Sequence, residues 1–367
     1  MKHSKKVLLV AGARPNFMKV APLLKELKKR PEVFITRLAH TGQHYDVAMS
    51  DYIFDDLDLP QPDRYLGVGS GSHAQQTAKV MMAFELVCIE ERPDLVVVVG
   101  DVNSTMACAI TAKKLNIPVA HVEAGLRSRD WTMPEEINRV VTDAVSDLLF
   151  THSRNADENL LDEGISPERI HFVGNVMIDC LISQLPRTDN RDTLKRFGLV
   201  PQNYATLTLH RPSNVDDPEI FRGIVDVLVE LSEELPIVWP IHPRARKVLE
   251  QDGLLSRVKS SSSLKLSDPI GYLDMLTLNR QARLIITDSG GLQEEATVLR
   301  VPCITLRENT ERPVTVAAGA NRVIGNQPAR IRSEIQSELN RNGHNITIPE
   351  LWDGKAAVRI VDVLMRI

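Results

Sequence analysis

Apolar residues fall in short unbroken runs, separated by stretches in which they recur every three or four positions. Residues 6–11 form such a run, stopped by Gly12, and an amphipathic pattern then follows Pro15 to about residue 29. That is the signature of strand, loop and helix. The unit returns with strands expected at 34–39, 95–99, 119–122, 148–151 and 170–173, and helices at 75–91, 104–115, 135–145 and 154–163, the last closed by Gly164. Strands that are apolar without alternation, with helices between them, imply a parallel sheet covered on both faces.

Residues 183–192, SQLPRTDNRD, break the rhythm and read as a boundary. Beyond them the same grammar restarts, with strands at 204–209, 237–240, 264–266, 284–287 and 303–306 and helices at 219–235, 245–250, 272–279 and from 291. The tract 259–263, KSSSS, reads as an exposed turn. The expectation is an α/β protein of two doubly wound domains, 1–182 and 193–352, with a terminal helix in 353–367 that completes the second domain or crosses back to the first.

At 367 residues the chain exceeds what one core usually serves, and 43% hydrophobic content can fill two. A net charge of −4 argues against nucleic acid or an anionic membrane as the main partner. Cys88, Cys108, Cys180 and Cys303 are scattered without a CxxC pair, so neither a disulfide framework nor a metal site is expected. The first apolar run is too short for a secretory leader and no run is long enough to cross a membrane. These features together suggest a soluble cytoplasmic protein.

The loops after the strands carry the chemistry. Gly12-Ala13-Arg14-Pro15-Asn16-Phe17-Met18-Lys19 holds one glycine where a dinucleotide loop needs GxGxxG, so nicotinamide is not expected. Arg14 and Lys19 frame a helix start, which fits a phosphate held by N–H groups and two cations, or an ordinary exposed pair. Asp101, in GDVNST, ends the most apolar strand and reads as a loop carboxylate or as the companion of Glu123, which ends the next strand. Glu123 belongs to residues 121–139, HVEAGLRSRDWTMPEEINR, where Glu123, Glu135 and Glu136 stand among Arg127, Arg129 and Arg139. Carboxylates beside arginines at the end of a buried strand point to proton handling near a bound anion.

In the second half, His210 and Arg211 follow one strand and His242 the next. Two histidines at consecutive strand ends tilt the reading from structure toward function. In TDSGGLQEE, 287–295, a strand delivers Ser289, Gly290 and Gly291 to a helix start, an arrangement that suits a phosphate or simply a tight turn. Glu295 then suits a ribose, while Arg307, Thr310 and Arg312 of LRENTERP supply counter-charge and Arg322 faces solvent.

These segments, with GARPNFMKVAPL, FVGNVMID, TLHRPSN and PIHPR in order along nearly the whole chain, resemble the non-hydrolysing UDP-N-acetylglucosamine 2-epimerases. The resemblance implies two Rossmann-like domains facing across a cleft in the GT-B arrangement, a UDP-sugar substrate, no cofactor and a homodimer. It implies interconversion of UDP-N-acetylglucosamine and UDP-N-acetylmannosamine by elimination of UDP and readdition. Position by position, Arg14 and Lys19 match substrate-binding residues of the first loop, Asp101, Glu123 and Glu135 the catalytic carboxylates, and His210 an important histidine. Ser289, Gly290 and Gly291 match the diphosphate turn, Glu295 the ribose partner and Arg312 a phosphate ligand. Ile270 and Met275 lie in DPIGYLDM, whose counterpart touches uracil, and Gln43, His44, Arg211 and His242 lie where a regulatory second site would be. By the same comparison Arg127, Arg129 and Arg139 hold the loop in shape.

The chain departs from the family pattern at Asn16, where Glu is usual, at Ser213-Asn214, where Glu-Asn is usual, and at Ile270 and Met275, where Gln and Phe are common. The departures bear on which acyl sugar is accepted. They keep a UDP-diacetamido sugar or its uronic acid as an alternative, and a GT-B glycosyltransferase as the rival from another class.

Overall fold

The computed structural model describes residues 4–42, 54, 56–341 and 343–367, without the side chain of Arg14. Gln43 and His44 lie outside the described residues. The chain gathers into two compact units, Met1–Ser183 with Glu350–Ile367, and Gln184–Pro349.

The first unit holds strands β1 (Lys5–Ala11), β2 (Phe34–His40), β3 (Arg64–Tyr65), β4 (Leu95–Val99), β5 (Val119–Ala124), β6 (Leu148–Thr151) and β7 (Ile170–Phe172). They pair in parallel in the order β3-β2-β1-β4-β5-β6-β7. Every residue of β4, LVVVV, is buried, as its unbroken apolar run demands. Leu8, Val10, Val96 and Val98 pack under Val80 and Phe84 of helix His73–Glu91 and Ala107 and Ala112 of helix Asn103–Lys114. Strand order reverses between β1 and β4, and outside the carboxyl ends of strands at such a reversal a doubly wound sheet leaves a crevice.

The second unit repeats the design with β8 (Ala205–Thr208), β9 (Ile237–Pro240), β10 (Leu264–Ser267), β11 (Leu284–Thr287), β12 (Cys303–Thr305) and β13 (Asn321–Val323), all parallel in the order β10-β9-β8-β11-β12-β13. Its core joins Phe221, Leu228 and Leu231 of helix Pro218–Ser232 with Trp239, Ile304, Ile331 and Ile335. Here the order reverses between β8 and β11.

The α/β class and two Rossmann-like units match the expectation. Two edge strands, β3 and β13, escape the sequence reading because each is short and carries an arginine, a common way of blunting an edge. The stretch expected as a boundary begins inside helix Val176–Gln184 and continues as the tight turn Leu185–Thr188.

Helix Ala356–Leu364 belongs to the first unit and packs along helix Arg14–Lys28. Its first N–H groups, Ala356 and Ala357, donate to the carboxylate of Asp179 at 3.0 and 2.7 Å. Just before it, the buried Trp352 donates its indole N–H to the carbonyl of His152 at 2.8 Å. Burial pushes the Asp179 carboxyl up to about 6, although the two N–H donors pull the other way. A folded value above the unfolded one means that folding favours the protonated form, so this stability is complete below the unfolded pKa and lost as pH rises through about 6. Between pH 7 and 5 the native chain should gain on the order of 1 kcal/mol over Asp179→Asn in urea unfolding; a difference independent of pH would contradict the assignment.

Candidate functional site

At the reversal point of the first unit, Gly12 follows β1 and Gly100 follows β4. The side-chain oxygen of Asn16 accepts the N–H groups of Gly12 and Ala13 at 3.1 and 2.9 Å, and its amide donates to the Val99 carbonyl at 3.1 Å. This ties the first loop to the end of β4 and places Lys19 one turn further along the helix. The ammonium of Lys19 pairs with the carboxylate of Glu123, both side chains being buried. A Cβ on Gly100 would meet that ammonium at 2.9 Å and the Glu123 oxygen at 3.4 Å, at φ +69°. Only glycine leaves room there.

Glu123 has φ +73°, where β5 breaks register with β6 between Val122 and Ala124. A non-glycine residue in the left-handed region costs about 1 kcal/mol, and such strain gathers at functional sites. Asp101, at the neighbouring strand end, is held by Arg139, whose Nε and Nη2 lie 3.0 and 2.7 Å from one carboxylate oxygen. The sequence set Asp101 and Glu123 against each other as like charges. In the structure each has its own cation, which offsets that repulsion.

The adjacent pair Glu135 and Glu136 separates by partner. Glu136 is buried and accepts the N–H groups of Ser128 and Arg129 at 2.9 Å each, together with Nη1 of Arg139 at 2.6 Å. Burial alone would raise its carboxyl, but those donors outweigh it and hold it low. Glu135 sits beside it on the first turn of helix Pro134–Val145, only half-buried. Arg127 bonds Glu163 through two nitrogens, at 2.7 and 2.6 Å, and Asp143 at 2.8 Å. Asp143 also takes the N–H of Gly125 at 3.0 Å and Nδ1 of His121 at 2.6 Å, while Nε2 of His121 meets the Gly100 carbonyl at 2.8 Å. Arg129 reaches Asn159 at 2.9 Å. Thus the arginines fasten the loop, and Arg139 also fixes Asp101.

In the second unit β8 and β11 are neighbours, with Thr208 opposite Thr287, so the residues after them emerge side by side. His210 lies with Nδ1 2.8 Å from the buried Asp288, which also takes the N–H of Arg211 at 2.8 Å. Burial would raise the Asp288 carboxyl, but His210 and the N–H donors hold it below the usual carboxylate range. His242 caps helix Pro243–Gln251, its Nδ1 accepting from the N–H of Arg244 at 3.2 Å, and its ring centre is 5.7 Å from that of His210.

Ser289 ends the β11 turn and helix Gly290–Leu299 begins without a side-chain cap from Ser289, and a helix start of this kind favours an anion. A Cβ on Gly290 would lie 2.3 Å from Nη1 of Arg312, so Arg312 stands against the turn. Arg312 is buried with Glu311 and with Glu294, whose oxygen is 2.9 Å from its Nε, and Arg307 closes the group at 2.8 Å from Glu311. Two guanidinium and two carboxylate groups balance one another, as buried charges require. Glu295 accepts the Tyr272 hydroxyl at 3.1 Å. Ile270 is partly buried beside Leu278 and Ile285, and Met275 lies half-buried in helix Tyr272–Gln281. Arg322 pairs with Glu334 and Glu338 on the surface side of that unit.

The sequence reading missed Asp143, Asp288, Glu294 and Glu311, the buried acids that hold the arginines and the histidine. Asp288 follows β11 immediately, where Asp101 follows β4 after Gly100, so the same strand-end logic would have marked it. The other three carry no local signal.

The family model described as UDP-N-acetylglucosamine 2-epimerase matches residues 25–365. A UDP-N-acetylglucosamine 2-epimerase of Methanocaldococcus jannaschii is 42% identical over 98% of each chain. A UDP-2,3-diacetamido-2,3-dideoxy-D-glucuronate 2-epimerase of Pseudomonas aeruginosa is 39% identical over 99% of this chain and 100% of its own. The crystal structure of the Methanocaldococcus jannaschii UDP-GlcNAc 2-epimerase in complex with UDP-GlcNAc and UDP is similar at a TM-score of 0.91, covering 99% of this chain and 100% of that one.

Proposed function

The chain belongs to the UDP-N-acetylglucosamine 2-epimerase family, and on that premise we propose that it interconverts UDP-N-acetylglucosamine and UDP-N-acetylmannosamine by elimination and readdition of UDP. The observation that carries the reading is the strand-end set of Glu123 and Asp101 in a chain that also holds the Ser289-Gly290-Gly291 turn against Arg312. The C2 hydrogen of this sugar has no adjacent ring carbonyl to acidify it. Its loss is therefore coupled to departure of the diphosphate: the C1–O bond breaks with its electron pair going to UDP, and a C2 proton passes to a base. A 2-acetamidoglucal and UDP result, and readdition returns UDP to C1 and a proton to the other face of C2.

Such a route needs donors around the leaving diphosphate and carboxylates around C1 and C2. We assign the first task to Arg14, Arg312, His210 and the Ser289–Gly291 turn, with Glu295 on the ribose and Ile270 and Met275 toward the uracil. Asp101, Glu123 and Glu135 divide proton transfer and stabilisation of the oxocarbenium-like state. The Pseudomonas aeruginosa relative supports a second substrate reading, a UDP-diacetamido uronic acid. The buried thiols of Cys88, Cys108, Cys180 and Cys303 accord with a reducing, cytoplasmic setting.

Helix His73–Glu91 exposes Met82, Leu86 and Ile89, which lie on one face at helical spacing. Beside it Met81, Met106 and Ile137 line a shallow groove of about 340 Å³. This apolar stripe supports a homodimer formed by that face.

Purified protein with UDP-N-acetylglucosamine and no acceptor, in D2O, should give UDP-N-acetylmannosamine carrying deuterium at C2. Product without deuterium would sink the elimination, and turnover only with an acceptor would favour a glycosyltransferase. Exclusive turnover of the diacetamido uronic acid would move the substrate assignment. Glu123→Gln should lose turnover while UDP still binds. Sedimentation should give twice the 41.0 kDa chain mass, falling to one chain in Leu86→Glu; an unchanged mass would exclude this face.

A further inference from the structure

Asp288 is fully buried at the end of β11, beside the loop that follows β8. One of its oxygens takes the N–H groups of His210 and Arg211 at 2.9 and 2.8 Å and the side-chain amide of Asn214 at 3.1 Å. The other meets the N–H of His210 at 3.1 Å and Nδ1 of its ring at 2.8 Å. A protonated carboxyl would turn an O–H against these donors, so the arrangement suits the carboxylate, which can only accept. Asn214 is itself anchored, donating to the Leu306 carbonyl at 2.8 Å.

From this we propose that Asp288 is a positioning residue that keeps a proton on Nδ1 of His210 and thereby makes Nε2 the ring atom that meets the departing diphosphate. The inference rests on the epimerase reading above. Nδ1 keeps its proton whether the ring is neutral or charged, and Nε2 is the nitrogen whose proton comes and goes. His242 next to it is set the other way, because its Nδ1 accepts from a backbone N–H and its proton therefore lies on Nε2 when the ring is neutral. Two histidines with ring centres 5.7 Å apart thus differ in tautomer, and the Asp288 carboxylate creates the difference.

The next residue after Asp288 is Ser289, the start of the turn assigned to the diphosphate, so the carboxylate that holds the histidine is adjacent to that turn. During elimination the C1–O electron pair moves onto the β-phosphate oxygen. With its Nδ1–H held by Asp288, the charged ring also carries a proton on Nε2, and this N–H donates a hydrogen bond that strengthens as charge gathers there; the pair returns to C1 on readdition. The ring gains and loses nothing over the cycle.

The test uses the full chain. Long-range proton–nitrogen spectra of the imidazoles, with His210→Gln to assign the signals, should show the Nδ1–H tautomer at His210 and the Nε2–H tautomer at His242. Asp288→Asn should lower kcat about 10²–10³-fold while UDP affinity measured by calorimetry stays within about 3-fold, and adding it to His210→Gln should cost nothing more. An Nε2–H tautomer at His210, a kcat within about 3-fold of the native chain, or multiplicative losses in the double variant would overturn the proposal. Should Asp288→Asn fail to fold, the native spectra decide alone. An inactive native chain with Nδ1–H at His210 would refute the epimerase reading and leave the tautomer assignment standing.

Discussion

A carboxylate buried at the end of a parallel strand must be met by a cation or by several donors, because an unpaired buried charge costs several kcal/mol. In this protein that requirement is met again and again at the strand ends. Glu123 near the end of β5 takes Lys19, the partly exposed Asp101 after β4 takes Arg139, and Asp288 after β11 takes His210 with two backbone N–H groups. Each partner comes from a different element: Lys19 and Arg139 tie helices to the first sheet, and His210 ties the loop after β8 to the second. Asp101 and Glu123, assigned to chemistry, are therefore held at strand ends by side chains from neighbouring helices.

The two units solve the same problem with different inventories. In the first, Glu123 and Asp101, the acids assigned to proton transfer, are held by basic side chains. In the second, the acids lie underneath: Asp288 below His210, and Glu294 and Glu311 beside Arg312. That division suits a reaction in which a sugar carbon gives and takes a proton while a diphosphate leaves. The first task calls for carboxylates, the second for donors and cations whose own charge is balanced when the ligand is absent.

The strand and helix grammar was legible because both sheets are buried on both faces, which writes apolar runs into β4 and β11. Edge strands β3 and β13 were not, since a short strand at an edge need not be apolar. Strand-end position singled out Asp101 and Glu123, and the family resemblance chose Glu135 over Glu136; the structure gives Glu136 the work of holding the Ser128–Arg129 backbone. Partnerships were the illegible part. Lys19 and Glu123 are 104 positions apart, and the loops bearing His210 and Asp288 meet only because β8 lies beside β11. Asp143 hides on the polar face of an amphipathic helix, where a sequence reading expects a solvated acid.

Paired strand-end carboxylates, Glu123 with Lys19 above all, hold these strand ends and their neighbouring helices together. A double-mutant cycle tests this most directly. Lys19→Met should cost about 3–5 kcal/mol of stability by stranding a buried carboxylate, and Lys19→Met with Glu123→Gln should recover most of that loss. Additive losses, or a Lys19→Met chain as stable as the native one, would contradict the account.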